Sequence, residues 1–484
     1  MSAVRLESQP AMQESVTPDP ALQAIVAHNG PVLLDLDETL YLRNSTEDFI
    51  DSARPATLAL IAMRLLDAIK PWRWTGGDKT RDVWRVRCIL ALFPWTKDLW
   101  RKRVATLAID AANAPLISAV KMRVGAVNAH ATVITTLGFQ SVVAPLVAAL
   151  GLAQLRIVAA RSSTFADRRD GKLRMVVNAL GNETVRRALV LTDSNEDEAL
   201  LNACAVPLQV IWPNAKFRPA LSDLYLPGQY MTQVKRPGER YIARGILQED
   251  FALWVLGSIS LASQPISHVL GLLFLLVSFW AVYEQGYVDN DRIAARYEHD
   301  PKLSDEFRST PAATPRWAPW IWALGSGAIA VLLLRSSTGA EAYDFLKWLA
   351  VLVATYGGFA FYNRFDKATR IWCYSGLQFA RGAAFVALVP ITLIGAIAVG
   401  AHVLAKWVPY YIYRLGGKDW PSASHFVTRL LFFMILTVLV GLASGFSAIW
   451  GWSFAALLAW NVFRARHELS ATLAAAKRLD TPPR

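Results

Sequence analysis

The sequence predicts an α/β domain with a helical insertion, followed by an all-α domain that crosses a membrane repeatedly. Three observations predict it. The stretch Pro31-Val-Leu-Leu-Asp-Leu-Asp-Glu-Thr-Leu40 carries a run of strand character straight into two acids. Further short apolar runs, each ending in hydroxyls or acids, alternate with helix-like segments up to residue 215 or so, which is the pattern of βαβ units around a parallel sheet. From Phe251 onward, five long runs lack any charge: 251–283, 317–334, 348–363, 382–405 and 430–463. A bilayer span needs about 20 apolar residues, and soluble cores do not use uncharged runs of that length.

The elements follow in order. Residues 1–25 lack the basic flank and apolar run of a secretory signal and are expected to be disordered. In the first strand, alternation puts positions i and i+2 on one face, so Asp35 and Asp37 are expected side by side at its carboxyl end. Parallel sheets hold their ligands there. Two close carboxylates raise each other's pKa unless a cation lies between them, which points to Mg²⁺, with one Asp a nucleophile and the other moving protons. The insertion from about 41 to 130 interleaves Trp72, Trp74, Trp84, Trp95 and Trp100 with Arg64, Lys70, Arg73, Lys79, Arg81, Arg85 and Arg87. It reads either as a helical cap with its own small core or as a cap resting on lipid, since indole rings beside cations suit a headgroup layer. A second strand, Ala131 to Thr136, ends in hydroxyls. A helix to Leu150 follows, then a strand from Leu155 to Ala160. Asp170-Gly-Lys172 opens an amphipathic stretch, and Leu189 to Thr192 runs into Asp193-Ser-Asn-Glu-Asp197.

This series resembles the haloacid dehalogenase (HAD) superfamily of phosphohydrolases. The likeness covers about residues 30 to 215 and rests on four motifs in order: DxDx[TV], a strand-terminal Thr or Ser, a Lys, and an acidic turn of GDSxxD type. Thr192 stands where a Gly commonly precedes the last motif, and helix spacing to Leu150 favours Thr136 over Thr135. The resemblance implies a Rossmannoid fold with a cap, Asp35 as nucleophile, Asp37 as general acid and base, and Thr136 and Lys172 on the phosphoryl oxygens. It implies Mg²⁺ at the acids Asp35, Asp37, Asp193 and Asp197, with Asp197 either orienting Lys172 or reaching the metal through water. Glu38 and Thr39 read as structural.

In the membrane domain, Pro265 divides the first uncharged run and Gly441, Gly445 and Gly451 loosen the last. Basic residues collect in 284–316, in 364–381 and in the tail 466–484, so these segments and the HAD-like domain are expected together on the cytoplasmic side of a bacterial-type inner (plasma) membrane. That requires an even count: eight spans, or six as the fallback. The net charge of +12 suits an anionic leaflet, and no nucleic-acid motif is present. Three cysteines, Cys88, Cys204 and Cys373, give neither metal spacing nor a disulfide framework.

The loop after the second span carries Asn290, Asp291, Arg296, Glu298 and Lys302. Residues seven apart share a helix face, so Asp291 and Glu298 are expected to converge on Mg²⁺ and a phosphate. This region, with Lys367 in the next basic loop, resembles the NDxxDxxxD segment of UbiA-type prenyltransferases over about 236–463. Ala294 stands where the central Asp belongs, and Cys373 or a neighbour stands where a second-motif Asp is expected. The order of the two domains resembles bacterial fusion proteins related to polyprenyl-phosphate phosphoribosyltransferases of cell-envelope synthesis. That implies a phosphatase at residues 26–235 and a transferase-like domain at 236–465, both acting on polyprenyl or other lipid-linked phosphates. The alternative is a non-catalytic lipid-binding or transport anchor.

Overall fold

The computed structural model describes residues 17–126, 131–299, 301–309, 315–335, 341–366, 368–416 and 424–475. The chain divides into two compact units, Met1–Leu224 and Tyr225–Arg484, a boundary somewhat earlier than the expected one at residue 235.

In the first unit the strands are β1 (Val32–Leu34), β2 (Thr132–Phe139), β3 (Arg156–Ala160), β4 (Leu189–Thr192) and β5 (Val206–Gln209). All pair in parallel, in the order β3-β2-β1-β4-β5. Every residue of β1 is buried, as a strand covered on both faces must be. Leu33 packs with Val176, Val185 and Leu200 on one side of the sheet. The chain steps outward from β1 to β3 and then crosses to β4 on the other side of β1. The carboxyl ends of β1 and β4 therefore form the topological switch point where such sheets open a crevice.

Helix α1 (Pro18–Ala27) precedes β1. Between β1 and β2 lie α2 (Ser45–Asp51), α3 (Ala56–Ile69), α4 (Arg81–Leu92), α5 (Thr96–Ala111) and α6 (Ala114–Ala126). Helix α7 (Gln140–Ala149) follows β2. Helices α8 (Ala166–Arg169), α9 (Lys172–Leu180) and α10 (Asn182–Arg186) join β3 to β4, and α11 (Glu198–Leu201) precedes β5.

Two expectations are corrected. Disorder to residue 25 gives way at Pro18: α1 is ordered because Ala21 and Ile25 are fully buried; residues 1–16 lie outside the described part. The insertion is helical, but it is not all cap. Trp100 of α5 is buried and donates its indole N–H to the Val142 carbonyl at 3.0 Å, tying α5 to α7 beside the sheet. Arg123 of α6 is fully buried. It donates to the carbonyls of Ile25 (2.9 Å), His28 and Gly30 (2.5 Å) and to the Thr132 hydroxyl (3.2 Å). A guanidinium with its donors spent on carbonyls pins the lead-in to β1.

Every regular element among the second unit's described residues is helical. A π-helical stretch, Ile242–Phe251, runs into α12 (Ala252–Ser258). Helices α13 (Pro265–Tyr297), α14 (Asp305–Ser309), α15 (Ala318–Arg335), α16 (Glu341–Tyr362), α17 (Arg370–Ala383), α18 (Leu393–Gly416), α19 (His425–Ser444) and α20 (Trp452–Ala475) follow. Trp254, Phe279, Trp280, Tyr283 and Trp348 form much of its core. A side chain at Gly286 would sit 2.2 Å from the Phe359 ring, so only glycine lets α13 and α16 close up here.

Four helices among the described residues are long and apolar enough to cross a membrane: 265–297, 341–362, 393–414 and 425–444. The expected eight or six spans therefore reduce to four by this measure. Pro265 does start a helix, but α12 before it has only seven residues. The run 382–405 divides between the end of α17 and a single helix α18, and α20 carries Arg464, Arg466 and Glu468 within its length.

Arg123→Ala should cost about 3 kcal/mol by taking the donors from buried carbonyls, lowering the thermal midpoint of the α/β unit by several degrees in the detergent-solubilised chain. An unchanged midpoint would show that α1 does not depend on this anchor.

Candidate active site

Strand β1 ends at Leu34, one residue short of the first acid. The Asp35 N–H still donates to the Leu191 carbonyl (2.9 Å), so Asp35 leaves the sheet edge directly beside β4. The chain then folds into a tight turn in which Tyr41 N–H reaches back to the Leu36 carbonyl at 2.9 Å and Glu38 takes a left-handed φ of 56°. Asp37 therefore lies in a turn, and strand alternation is not what brings it near Asp35. Its carboxylate is set instead by the Ser45 N–H at the start of α2, 2.6 Å away.

Lys172 holds the centre. Gly171, at φ 87°, turns the chain so that α9 begins on Lys172. The buried ammonium lies 2.9 Å from Asp35 Oδ1 and 2.6 Å from Asp197 Oδ2. Asp197 thus contacts Lys172 directly, one of the two roles expected of it. Thr192, the departure from the family pattern, has a place as well: its hydroxyl lies 3.0 Å from Asp35 Oδ2 and 2.6 Å from Asp197 Oδ2. One hydroxyl proton serves one carboxylate at a time, so Thr192 couples the two.

Asp193 follows β4 and accepts from the Thr39 hydroxyl at 2.9 Å. Thr39, read from the sequence as a structural hydroxyl, thus holds the Asp193 carboxylate. Thr136 lies on β2, whose register pairs Ile134 with Leu34, so the hydroxyl sits just past the end of β1. It accepts from the Gly138 N–H at 2.9 Å. A side chain at Gly138 would meet the hydroxyls of Thr136 and Ser45 at 3.2 Å each. Ser45 is fully buried, and nothing in the sequence marked it.

Burial sets the electrostatics. It pushes Asp35 up to about 6 against the pull of Lys172, with the Asp197 and Asp193 charges adding to the rise. Burial likewise takes Asp37 to about 6, opposed by its hydrogen bonds from Ser45, and Asp193 to about 6, opposed by Thr39. Burial works to lower the pKa of the Lys172 ammonium, but Asp35 and Asp197 outweigh it and hold it above its ordinary value.

Such a crowd of acids suits a divalent cation. Among the described residues no group of three or more His, Cys, Asp or Glu side chains is arranged to hold a metal. Mg²⁺ does not need such a cage, since one or two carboxylates with phosphate and water commonly hold it. Asp35 and Asp193, at adjacent strand ends, fit that smaller demand.

The acids expected to converge in the helical unit are claimed by separate cations. Buried Asp291 is paired with Lys235 at 2.6 Å and accepts from Tyr230 (2.8 Å) and from Asn290 (3.3 Å). Glu298, just past the end of α13, is paired with Arg370 at 2.6 Å. Arg296 lies over the Tyr297 ring, Lys302 reaches the Tyr413 hydroxyl at 2.5 Å, and Lys367 lies outside the described residues. Glu298 and Arg370 line a cleft of about 440 Å³. A neighbouring one of about 190 Å³ is lined by Asp289, Arg292, Arg316 and Tyr356 among others. Asn363 and Arg364 line both, and the buried Asn363 amide has no hydrogen-bond partner among the described residues.

No family model, curated protein or solved structure matches this chain.

The three raised carboxyls fix a pH dependence. Free aspartate titrates near 3.8, below which folded and unfolded chains are both protonated; between there and about 6 the folded chain binds more protons, so stability falls as pH rises. In chelator, the α/β unit should therefore lose thermal stability from pH 5 to pH 7, and lose less of it in Asp193→Asn. Equal losses in the two proteins would contradict the assignment of burial strain to these acids.

Proposed function

We propose that the α/β unit is a Mg²⁺-dependent phosphohydrolase of the haloacid dehalogenase type that removes phosphate from a polyprenyl or other lipid-linked phosphate. The observation that carries this reading is the convergence of Asp35, Asp193, Asp197, Thr192 and Lys172 from separate segments on the switch point of a parallel sheet. Asp37 and Thr136 lie on its rim.

The chemistry divides among these groups. The Asp35 carboxylate attacks phosphorus, forming an aspartyl-phosphate as the bond to the leaving oxygen breaks. Asp37, held by the Ser45 N–H with a carboxyl pushed up to about 6, donates its proton to that oxygen. It then takes a proton from the water that attacks phosphorus; the Asp35–phosphate bond breaks and inorganic phosphate leaves. Lys172 and the Thr136 hydroxyl balance charge on the phosphoryl oxygens, and Asp197 with Thr192 keeps Lys172 aimed. Mg²⁺, held by Asp35 and Asp193, would supply further charge compensation.

For the helical unit, the UbiA-like reading remains a proposal of lipid-phosphate recognition. The pairing of Asp291 with Lys235 and of Glu298 with Arg370 favours a binding or anchoring role over a Mg²⁺-diphosphate transferase. Arg292, Arg316 and Arg364 at the clefts suit an anionic head beside apolar helices. Residence in a bacterial plasma membrane, with the α/β unit on the cytoplasmic side, belongs to the same proposal.

In the full chain, Asp35→Asn keeps the shape and removes the nucleophile, so phosphate release from a polyprenyl phosphate should fall by a factor of about 10³ or more. Lys172→Met should fall comparably. Wild-type turnover in Asp35→Asn would end the phosphohydrolase reading.

Orientation is tested separately. Cysteines placed at Ser304 and Ser470 should stay unlabelled by an impermeant thiol reagent in intact cells and react after lysis. Labelling of either in intact cells contradicts a shared cytoplasmic side.

A further inference from the structure

The insertion carries a surface that neither the phosphohydrolase site nor the helical unit accounts for. Helix α3 buries Ala59, Leu60 and Met63 but turns Leu58, Leu65 and Ile69 to solvent, at 54, 59 and 64 % exposure. At 3.6 residues per turn these three fall within about 40° of one another, forming one continuous stripe. The helix ends on Lys70, whose left-handed φ of 54° turns the chain into the short segment Pro71–Trp74.

That turn sorts two tryptophans which the sequence leaves equivalent. Trp72 is buried and gives its indole N–H to Asp78 at 3.0 Å. Trp74, two residues on, is 79 % exposed. Lys70, Arg73 and Lys79 flank it along the chain, all exposed. Between Ala56 and Arg81 there are five basic residues against two acids. Of the two acids, Asp78 holds the Trp72 indole and Asp67 pairs with Arg81 at 2.8 Å. Lys70, Arg73 and Lys79 thus face outward with no acid of this segment paired to them.

A hydrophobic stripe on a helix, an exposed indole just past its end and exposed cations in the same turn are the separate requirements of a segment lying in a bilayer interface. Apolar side chains enter the acyl boundary, the ring sits at headgroup depth, and cations meet lipid phosphates. A protein partner would need a shaped apolar face ringed by acids, whereas a bilayer supplies both the apolar layer and the negative charge along its whole extent. Four helices among the described residues are long and apolar enough to cross a membrane, which would keep a bilayer within covalent reach.

We propose that α3 and the Lys70–Lys79 turn form a docking surface for an anionic lipid leaflet, with Leu58, Leu65, Ile69 and Trp74 inserted and Lys70, Arg73 and Lys79 on the lipid phosphates. The inference is independent of whether the α/β unit hydrolyses anything. Docking holds the helices between β1 and β2 at the headgroup layer, where a lipid-linked phosphate presents itself.

The test uses the full chain, with Cys88, Cys204 and Cys373 replaced by serine, reconstituted in nanodiscs. Single nitroxides are placed at Leu58, Leu65 or Ile69, and at Lys97, exposed on α5, as reference. In phosphatidylcholine with phosphatidylglycerol, the α3 probes should be relaxed strongly by oxygen and weakly by a water-soluble nickel chelate, the reverse of Lys97. Adding Lys70→Glu, Arg73→Glu and Lys79→Glu should return the α3 probes to the Lys97 pattern, while a Lys97→Glu control should not. Probes at α3 that the nickel chelate reaches as readily as Lys97 would place the stripe in water and overturn the proposal. Probes shielded from both reagents would show that protein covers the stripe, which overturns it equally.

Discussion

The first unit is organised around the cost of burying charge. Lys172 lies between Asp35 and Asp197 in a place that water barely reaches, and each buried charge is offset by an opposite one beside it. The sheet order places Asp35 and Asp193 at neighbouring strand ends, Gly171 starts α9 so that it begins on the lysine, and Thr192 joins the two acids that the lysine bridges. The site holds a surplus of negative charge, with three carboxyls pushed up to about 6, by burial first and by neighbouring carboxylates second. That surplus is the physical motive for the cation and phosphoryl group proposed at this position.

The helical unit solves the same problem with pairs. Arg381 holds Asp250 through its Nε at 2.8 Å while Trp280 donates to the same carboxylate at 3.0 Å. Glu249 is shared by Arg429 and by Arg464, the latter at 2.6 Å. These pairs join the Ile242–Phe251 stretch to α17, α19 and α20, so buried charge works here as a set of fasteners between helices that carry little polarity elsewhere.

Much of the first site was legible because its acids, hydroxyls and lysine stand at or near the ends of strands, and strand ends can be read from apolar runs. Asp35, Lys172, Asp193 and Asp197 meet as their order along the chain suggested. The reason given for Asp37 failed: β1 stops too early for alternation to matter, and a turn with an N–H from α2 does the placing. Ser45 was illegible because its position depends on how the insertion re-enters the sheet. In the second unit, helix periodicity suggested that Asp291 and Glu298 share a face, but periodicity does not show which cation reaches each acid. Lys235 and Arg370 approach from outside α13, and only the packing of other segments reveals them. Four helices among the described residues meet the length and composition of a span where eight or six were expected, since an uncharged run does not reveal how much of it one helix takes up. The buried ion pairs around Glu249 and Asp250 sat next to the uncharged runs, where the absence of charge drew attention away from the charges at the edges.

The central claim is that Asp35 carries the phosphoryl group. Its most direct test is covalent trapping: the full chain bearing Asp37→Asn, which slows hydrolysis of the intermediate, is given phosphorylated substrate and then reduced with borohydride. The account expects mass spectrometry to find homoserine at position 35, formed from an acyl phosphate, and unmodified aspartate at 193 and 197. An unmodified Asp35 alongside continued phosphate release, or modification at Asp193 in its place, would contradict it.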